Sequence, residues 1–318
     1  MKTRILEFLK TTDDYFSGEE LSRRLNISRS AVWKNIRELR KEGYDITAVP
    51  HRGYLLKSVP DCLISREIQY NLKTKIIGQN IIHFDDVPST MDVAFQLGVD
   101  GAPEGTVVFA EQQSKGRGRL GRTWNSPKGK GIYCSMILRP AMTPTDVAKL
   151  TLLTAVAVCE AIEQTTSVHP RIKWPNDLLV GSKKIAGCLT ELSAEMDRVR
   201  FVVVGVGINV NTPLKSLPDT ATSLKAELKE QVNRSELVRS FLLTFETWYE
   251  QVLENGFDSV LERWKELSST LGSKVRVTEV GKSFEGEAVG LDEYGGLIIK
   301  IPSGEVIKRM TGDVELIF

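Results

Sequence analysis

The sequence predicts a multidomain α+β protein in three parts, and three observations support this. Residues 1 to 60 have the pattern of three short helices followed by two short strands. The middle of the chain holds several apolar strands in succession without helices between them, which favours a mixed sheet over a doubly wound parallel one. The last part holds five short strands separated mostly by glycine-containing turns. We expect domain boundaries at 1–62, 63–271 and 272–318.

Composition limits the class of protein. The 318 residues are 41% hydrophobic and 26% charged, as in an ordinary globular protein. We expect neither a signal peptide nor a membrane partner, and we expect a cytoplasmic location, because no apolar run follows the basic start or reaches spanning length. Four dispersed cysteines without a CxxC pair, and only three histidines, predict reduced core cysteines and no resident metal site.

The first sixty residues predict a winged helix-turn-helix. Ser17 and Gly18 start the second helix, and Ser28 is a suitable N-cap for a third that runs to about Glu42. Gly43 follows as a C-terminal stop. Two strands joined by a turn are expected next, at Asp45–Val49 and Gly53–Leu56.

This segment is also basic. It holds 12 Lys/Arg against 8 Asp/Glu, although the whole chain is almost balanced at 42 against 41. A local excess of positive charge on a winged helix favours DNA binding, with the third helix in the major groove and the wing on the backbone. The alternative is a small helical domain for protein contacts. The candidate DNA-binding residues are Ser28, Arg29, Ser30, Lys34, Arg37 and Arg52.

The central part is predicted from alternating apolar runs and helical stretches. Its candidate strands are Ile81–Phe84, Thr106–Glu111, Gly131–Leu138, Ile172–Trp174, Asp177–Val180, Lys184–Ser193 and Arg200–Val210. Long helices are expected at Pro144–Gln164 and Arg234–Glu254.

The segment Gly116–Arg122 predicts an anion-binding loop. It holds three glycines, which allow close approach of the backbone, and three arginines, whose planar guanidinium suits phosphate or carboxylate. It is neither a Walker A loop nor a dinucleotide-binding fingerprint, because neither spacing is present. The alternatives are an RNA-binding Gly/Arg segment and a solvated turn.

Other polar clusters fall at the predicted strand ends. Each alone is compatible with a turn or a helix cap. Their common position at strand ends predicts a binding cleft. The clusters are Ser89–Asp92, Glu111–Gln113, Lys173–Asp177, Lys183–Gly187 and Gly205–Asn211.

Together with the Gly/Arg loop and Trp124, these clusters resemble the motifs of biotin protein ligases in order and spacing. With its N-terminal winged helix, the chain resembles the bifunctional members, which ligate biotin and repress the biotin operon. The resemblance covers nearly all of the chain. It implies that biotin and ATP form biotinyl-5′-AMP, and that a lysine of a carboxylase carrier domain then takes the biotin.

The resemblance also assigns roles to residues. It implies Lys184, Arg119 and Asp177 as catalytic. It implies biotin contacts from Ser89, Thr90, Gln113, Arg117, Gly118, Arg119, Trp124 and Lys184. It implies ATP contacts from Arg119, Arg122, Asn176, Lys184, Asn209 and Asn211, with Mg²⁺ carried by ATP rather than by a protein metal site.

Partners follow from the same resemblance. They are the biotin carrier domain of acetyl-CoA or pyruvate carboxylase, operator DNA, and a second copy of the chain when biotinyl-AMP is bound. Two alternatives stay open: a regulator that only senses a ligand, and a ligase whose winged helix no longer binds DNA. The C-terminal domain is expected to be an SH3-like barrel with strands Ser273–Val280, Phe284–Leu291, Leu297–Ile301, Glu305–Arg309 and Asp313–Ile317.

Overall fold

The computed structural model describes residues 1–195, 198–279 and 282–317. The chain forms two compact units, one from Met1 to Cys62 and a second from Leu63 onward. In the described ranges, no helix has both the length and the apolar character needed to cross a bilayer.

The first unit has the predicted winged helix-turn-helix elements. Its core is formed by apolar residues such as Ile5, Leu21 and Ile36 from the three helices. Ser28 caps the third helix, accepting a hydrogen bond from the Ala31 N–H at 3.1 Å. The elements are α1 (Lys2–Lys10), α2 (Gly18–Leu25), α3 (Arg29–Lys41), β1 (Asp45–Val49) and β2 (Gly53–Ser58).

The second unit is built on a seven-stranded sheet with the order β3-β4-β5-β9-β8-β7-β6. Strands β3 and β4 are parallel and the other neighbours are antiparallel, so the predicted mixed sheet is confirmed. The strands are β3 (Ile81–Phe84), β4 (Val107–Ala110), β5 (Gly131–Leu138), β6 (Arg171–Lys173), β7 (Asp177–Val180), β8 (Lys183–Glu195) and β9 (Arg198–Asn209).

Helices cover both faces of this sheet. Along β4, Val107 and Phe109 join the main core while Val108 joins a second, smaller core, because successive side chains of a strand point to opposite faces. The helices are α4 (Ser65–Gln69), α5 (Thr90–Val99), α6 (Pro144–Val147), α7 (Leu150–Thr165), α8 (Leu224–Leu228), α9 (Arg234–Asn255) and α10 (Asp258–Leu267). Helices α7 and α9 bury their apolar residues in the main core, and α5 packs on the opposite face through Met91 and Ala94.

The C-terminal strands form a five-stranded antiparallel sheet with the order β13-β12-β11-β10-β14. Val275 and Leu297 share the main core with the central sheet. Val280, the predicted end of the first of these strands, lies outside the described residues. The strands are β10 (Lys274–Glu279), β11 (Lys282–Leu291), β12 (Leu297–Lys300), β13 (Val306–Arg309) and β14 (Asp313–Ile317).

Candidate active site and DNA-binding surface

A cleft in the second unit brings most of the predicted site residues together. It lies against β5, β7, β8 and β9 and is covered by the Gly/Arg loop. The predicted residues that line it are Thr90, Gln113, Arg117, Gly118, Arg119, Arg122, Trp124, Asn176, Asp177 and Lys184. Other members of the predicted polar clusters line it as well, namely Met91, Lys173, Gly187, Gly205 and Gly207. Ser135 and Asp313, which the sequence analysis did not single out, also line it.

One end of the cleft is a pocket of neutral polar groups. The Gln113 Oε1 atom accepts hydrogen bonds from the Thr90 N–H at 2.8 Å and the Thr90 hydroxyl at 3.1 Å. The Ser135 hydroxyl donates to Thr90 Oγ1 at 2.9 Å, and Gln113 Nε2 donates to Ser126 Oγ at 2.9 Å. Ser89 is fully buried beside Thr90, and its hydroxyl has no hydrogen-bond partner within the described ranges. An unpaired buried hydroxyl is costly unless a ligand satisfies it, so this pocket suits an uncharged polar ligand.

A β-bulge places Lys184 in the cleft. Strands β7 and β8 pair Leu178 with Ala186 but Leu179 with Lys184, so Ile185 is an extra residue on β8. Ile185 is fully buried in the main core. The Lys184 Nζ atom lies 2.6 Å from Asp177 Oδ1, and this ion pair holds the ammonium group at the cleft.

Two glycines make room for the Trp124 indole. Gly187 of β8 pairs with Gly207 of β9, side by side in the sheet. A Cβ atom at Gly207 would lie 2.5 Å from Trp124 Cε2, and one at Gly187 would lie 3.3 Å from Trp124 Cζ3, so the indole needs at least the first of these glycines. The Lys184 Nζ atom is 5.3 Å from the centre of the ring, within the range of a cation–π contact. The indole N–H is buried, with no acceptor found in the described parts of the chain.

Arg119 reaches into the cleft from the loop. Its Nη1 atom donates to Asn176 Oδ1 at 3.1 Å, and Asn176 Nδ2 donates to the Cys188 carbonyl at 2.8 Å. The second bond fixes the amide orientation, so Asn176 presents its oxygen to the guanidinium. Burial lowers the pKa of Arg119, which is partly removed from water.

The other two loop arginines contact carboxylates from distant elements. The Arg117 Nη2 atom lies 3.0 Å from Asp92 on α5 and 2.9 Å from Glu191 on β8. Arg122 pairs with Asp313 of β14, and its hydrogen bond lowers the pKa of that carboxyl. The side chain of Arg117, predicted to contact biotin, therefore anchors the loop in this structure.

Asn209 and Asn211 do not line the cleft. Asn209 Nδ2 donates to the Thr222 carbonyl at 3.1 Å. Asn211 both donates to the Val232 carbonyl at 2.9 Å and accepts from the Val232 N–H at 3.0 Å. These bonds hold the chain that follows β9, and contact of either amide with a nucleotide stays a prediction.

A buried ion pair lies under the start of the loop segment. Glu111 accepts hydrogen bonds from the Leu63 N–H and from Arg234 Nη1, both at 2.8 Å, and Arg234 also donates to the Gly131 carbonyl at 3.0 Å. Burial raises the pKa of Glu111, but His83, Arg234 and the Leu63 N–H together lower it, to about 2. The ion pair ties β4, β5 and α9 together immediately before Gln113.

No group of three or more His, Cys, Asp and Glu side chains in the described ranges could hold a metal ion. Asp177 and Asp313 are the carboxylates at the cleft. They fit the pattern in which Mg²⁺ is held by substrate phosphates with the help of one or two carboxylates.

The first unit exposes all six candidate DNA-binding residues. On α3, Lys34 and Arg37 lie away from the core residues Val32 and Ile36, and Arg29 is exposed in the first turn. The wing residue Arg52 lies 3.1 Å from Asp14 and stacks over the Tyr15 ring at 4.3 Å, so it is partly engaged within the unit.

Comparison with known proteins identifies the family. A relative in Bacillus subtilis, the bifunctional ligase/repressor BirA, is 41% identical over 97% of this chain and 96% of its own length. The chain belongs to the biotin protein ligase family. The bifunctional ligase/repressor BirA of Escherichia coli is 28% identical over 97% of the chain and 95% of its own length. The chain is an enzyme of this family and carries a DNA-binding type of domain at its N-terminus.

Family profiles and a solved structure agree with this assignment. The biotin/lipoate A/B protein ligase family matches residues 83–209. A helix-turn-helix domain matches residues 2–55, and the biotin protein ligase C-terminal domain matches 270–316. The biotin protein ligase of Aquifex aeolicus, solved with biotin and ATP, superposes with a TM-score of 0.65 at 31% identity. The superposed region covers 75% of this chain and 98% of the Aquifex aeolicus chain.

Three features of the ligase escaped the sequence analysis. The first is Asp313, which pairs with Arg122 of the loop from nearly two hundred residues further along the chain. The second is the burial of Arg234 with Glu111, since the sequence predicts only that Arg234 lies in a helix. Trp33, on α3, is 54% exposed, although a tryptophan at helical spacing is usually buried. Its offset from the apolar positions Val32 and Ile36 is the one signal that could have placed it outside the core.

Proposed function

We propose that this ligase joins biotin to ATP and transfers it to a lysine of a biotin carrier domain, and that it represses biotin genes when loaded with biotinyl-5′-AMP. One observation carries the catalytic half. Lys184, Asp177, Arg119 and Asn176 line one cleft together with the neutral polar side chains Thr90, Gln113 and Ser135. Cationic groups thus lie beside a pocket that suits the uncharged head of biotin.

In the first step, a carboxylate oxygen of biotin attacks the α-phosphorus of ATP. The bond from that phosphorus to the bridging oxygen breaks, and pyrophosphate leaves with the electron pair. Both reactants are anions, so fixed positive charge lowers the barrier most where negative charge accumulates. Lys184, positioned by the bulge and by Asp177, and Arg119, positioned by Asn176, supply that charge.

In the second step, the amine of the carrier lysine attacks the carbonyl carbon of the anhydride. An amide bond forms, the bond from the carbonyl carbon to the phosphate oxygen breaks, AMP leaves with that electron pair, and the proton on nitrogen passes to solvent. No protein nucleophile is needed. The Trp124 indole and the Gly/Arg loop cover the cleft and limit the access of water to the anhydride. Mg²⁺ bound with ATP would neutralise phosphate charge, and the cleft carboxylates Asp177 and Asp313 would help to hold it.

The experiment for this half is direct. The full chain is incubated with ATP, labelled biotin and a carrier domain of acetyl-CoA or pyruvate carboxylase. Label on the carrier supports the enzyme. A protein that binds biotin but labels nothing would instead support the rival reading of a regulator that only senses the ligand.

The repressor half rests on the charge of α3. Arg29, Lys34 and Arg37 of this helix are all exposed, as contacts of a recognition helix with DNA require. A gel shift with the promoter of the organism's own biotin genes, with and without biotin and ATP, tests it. Neutralising one phosphate contact, as in Lys34→Ala, should reduce the salt slope of log K by about 0.9. Absence of salt-dependent binding by the full chain would leave only the ligase.

A homodimer and a cytoplasmic location complete the proposal. Strand β7 pairs with β8 only as far as Gly187, so one edge of β8 beyond Cys188 has no strand partner in the described parts of the chain. An open strand edge can pair with the same edge of a second copy. Sedimentation with and without biotin plus ATP tests dimerisation. A cytoplasmic location follows from the need for ATP and operator DNA.

A further inference from the structure

Trp33 is the exception among the tryptophans of this chain. Of the five, all of which lie in the described ranges, it is the only exposed one, at 54%; Trp174 and Trp264, by contrast, are buried. The core face of α3 is formed by Val32, Ile36 and Leu39 instead. Trp33 therefore contributes little to folding, and the reason for a large apolar side chain at this position must lie outside the unit.

The neighbours of Trp33 are the basic residues of α3. Positions three or four apart on a helix lie on the same face, so Arg29, Trp33 and Arg37 form one row, with Ser30 and Lys34 beside it. The Arg37 guanidinium lies over the Trp33 ring, 5.1 Å from its centre. This contact restrains the indole at the middle of a positively charged surface.

Resting on the proposed DNA binding, we infer that Trp33 reads a thymine-containing step of the operator in the major groove. The occupant is DNA because the surface around the indole carries Arg29, Lys34 and Arg37 and complements phosphate. These cations supply the charge, so the neutral indole adds no phosphate contact. An apolar ring at this place can contact the C5-methyl group of thymine, which only the major groove displays.

The indole N–H of Trp33 further restricts which base it can contact. It is a donor only, and it belongs to a side chain that is 54% exposed. It can pair with an acceptor on a base edge, such as the O4 of thymine or the N7 of a purine, whereas the amino group of cytosine would oppose it. Trp33 is thus a specificity-determining residue, and the arginines and Lys34 are positioning residues on the backbone.

The experiment uses the full-length ligase with biotin and ATP, and a footprinted duplex from the promoter of its own biotin genes. Each thymine of the site is replaced in turn by deoxyuridine, which removes the methyl group and keeps the base pair. We expect one position in each half-site at which the wild type loses about fourfold in affinity per methyl. Trp33→Ala should bind the natural site at least ~10-fold more weakly and be insensitive to uridine at that position.

Matched variants separate recognition of a base by Trp33 from electrostatic attraction to the phosphate backbone. Trp33→Phe should keep the uridine response, because it retains an apolar ring, but should lose part of the affinity through the missing donor. Trp33→Ala should keep the wild-type salt slope, whereas Lys34→Ala should lower it by about 0.9. Because Trp33 is exposed, Trp33→Ala and Trp33→Phe should both match the wild type in melting temperature and in carrier ligation rate.

The outcomes distinguish failure of DNA binding from failure of the role inferred for Trp33. If the wild type shows no salt-dependent DNA binding, the DNA-binding function itself is wrong. If the wild type binds but no thymine position responds, or Trp33→Ala keeps the wild-type uridine profile, the inference about Trp33 is overturned while DNA binding stands. Equal loss on operator and random DNA, or a defect in dimerisation measured without DNA, would also overturn it and assign Trp33 to a general or protein contact.

Discussion

Lys184 Nζ lies 2.6 Å from Asp177 Oδ1, across the neighbouring strands β7 and β8. The pair orients the ammonium group toward the cleft and keeps it from folding onto the sheet. Removal of the charge should mainly slow adenylation, because a preorganised contact to developing charge is worth about 10²- to 10³-fold in rate. Lys184→Ala is therefore expected to form biotinyl-AMP at least a hundredfold more slowly, as measured by pyrophosphate release.

The neighbouring lysine gives a matched control. Lys183 is exposed and does not line the cleft, so Lys183→Ala should retain the wild-type rate. Asp177→Asn should have an intermediate effect, since the ammonium stays but loses its anchor. Native adenylation by Lys184→Ala would exclude the proposed role.

Arg119 is expected to retain the reaction intermediate. Its bond to Asn176 closes the loop over the cleft, so Arg119→Gly should still form biotinyl-AMP but release it early. Free anhydride would then label lysines of bystander proteins such as albumin. The measurement is the labelling of albumin relative to the carrier domain, with Lys115→Gly, an exposed change immediately before the loop, as the control. Wild-type albumin labelling with intact synthesis of the intermediate would show that Arg119 does not hold it.

The pair of Arg122 and Asp313 links the loop to the C-terminal sheet. Hydrogen bonding to Arg122 lowers the pKa of Asp313, so the contact is complete at neutral pH and weakens as acid protonates the carboxyl. Both side chains are partly exposed, so the effect on stability should be small. We expect Asp313→Asn to melt like the wild type but to be cut faster within residues 116–122 by trypsin.

A suitable control for that experiment is Glu305→Gln, an exposed change on the same C-terminal sheet domain. Equal cleavage rates for all three proteins would show that the contact does not restrain the loop.

The Glu111–Arg234 pair should make the second unit sensitive to acid. The pKa of Glu111 is about 2 in the folded chain against a reference of 4.5, so its contribution is complete above about 4.5 and is lost as the pH falls toward 2. Glu111→Gln should lower the free energy of unfolding by about 3–5 kcal/mol at pH 7, because it leaves a buried guanidinium without its counter-charge. Urea unfolding between pH 3 and pH 7 measures both effects.

Two comparisons make this test specific. Glu254→Gln, an exposed change on the same helix as Arg234, should leave the unfolding free energy within about 0.5 kcal/mol of the wild type. The loss in Glu111→Gln should shrink at low pH, where the wild-type carboxyl is itself protonated. A loss that is constant from pH 3 to pH 7 would argue against the charge as its cause.

Much of the fold could be predicted, because local patterns determine it. Strand alternation and helix caps such as Ser28 are short-range signals, and the winged helix and the mixed sheet followed from them. The cleft was predicted from polar clusters at strand ends, and ten of the thirteen predicted biotin, ATP and catalytic residues line it. Ser89, Asn209 and Asn211 do not line the cleft. Ser89 is fully buried, and the two asparagines bond to nearby backbone groups, which their position in a motif does not reveal.

Contacts between distant segments could not be predicted. Nothing near Arg117 in the sequence indicates that Asp92 and Glu191 bind it, and nothing near Arg122 indicates Asp313. Such pairings depend on tertiary packing, for which a single sequence contains no local pattern. The exposure of Trp33 differs in kind, because its offset from the core positions Val32 and Ile36 is visible in the sequence.

The extra residue Ile185 in β8 has a consequence for how this enzyme can change. A regular strand alternates strictly between faces, so deletion of one residue moves every later side chain to the opposite face. The bulge is an exception: Lys184 and Gly187 lie three positions apart and both line the cleft, because Ile185 and Ala186 between them are both buried in the main core. Deletion of Ile185 would restore regular alternation and leave Lys184 and Gly187 on the cleft face. The bulge is therefore a position at which the strand can lose a residue while the cleft keeps its lysine and its glycine.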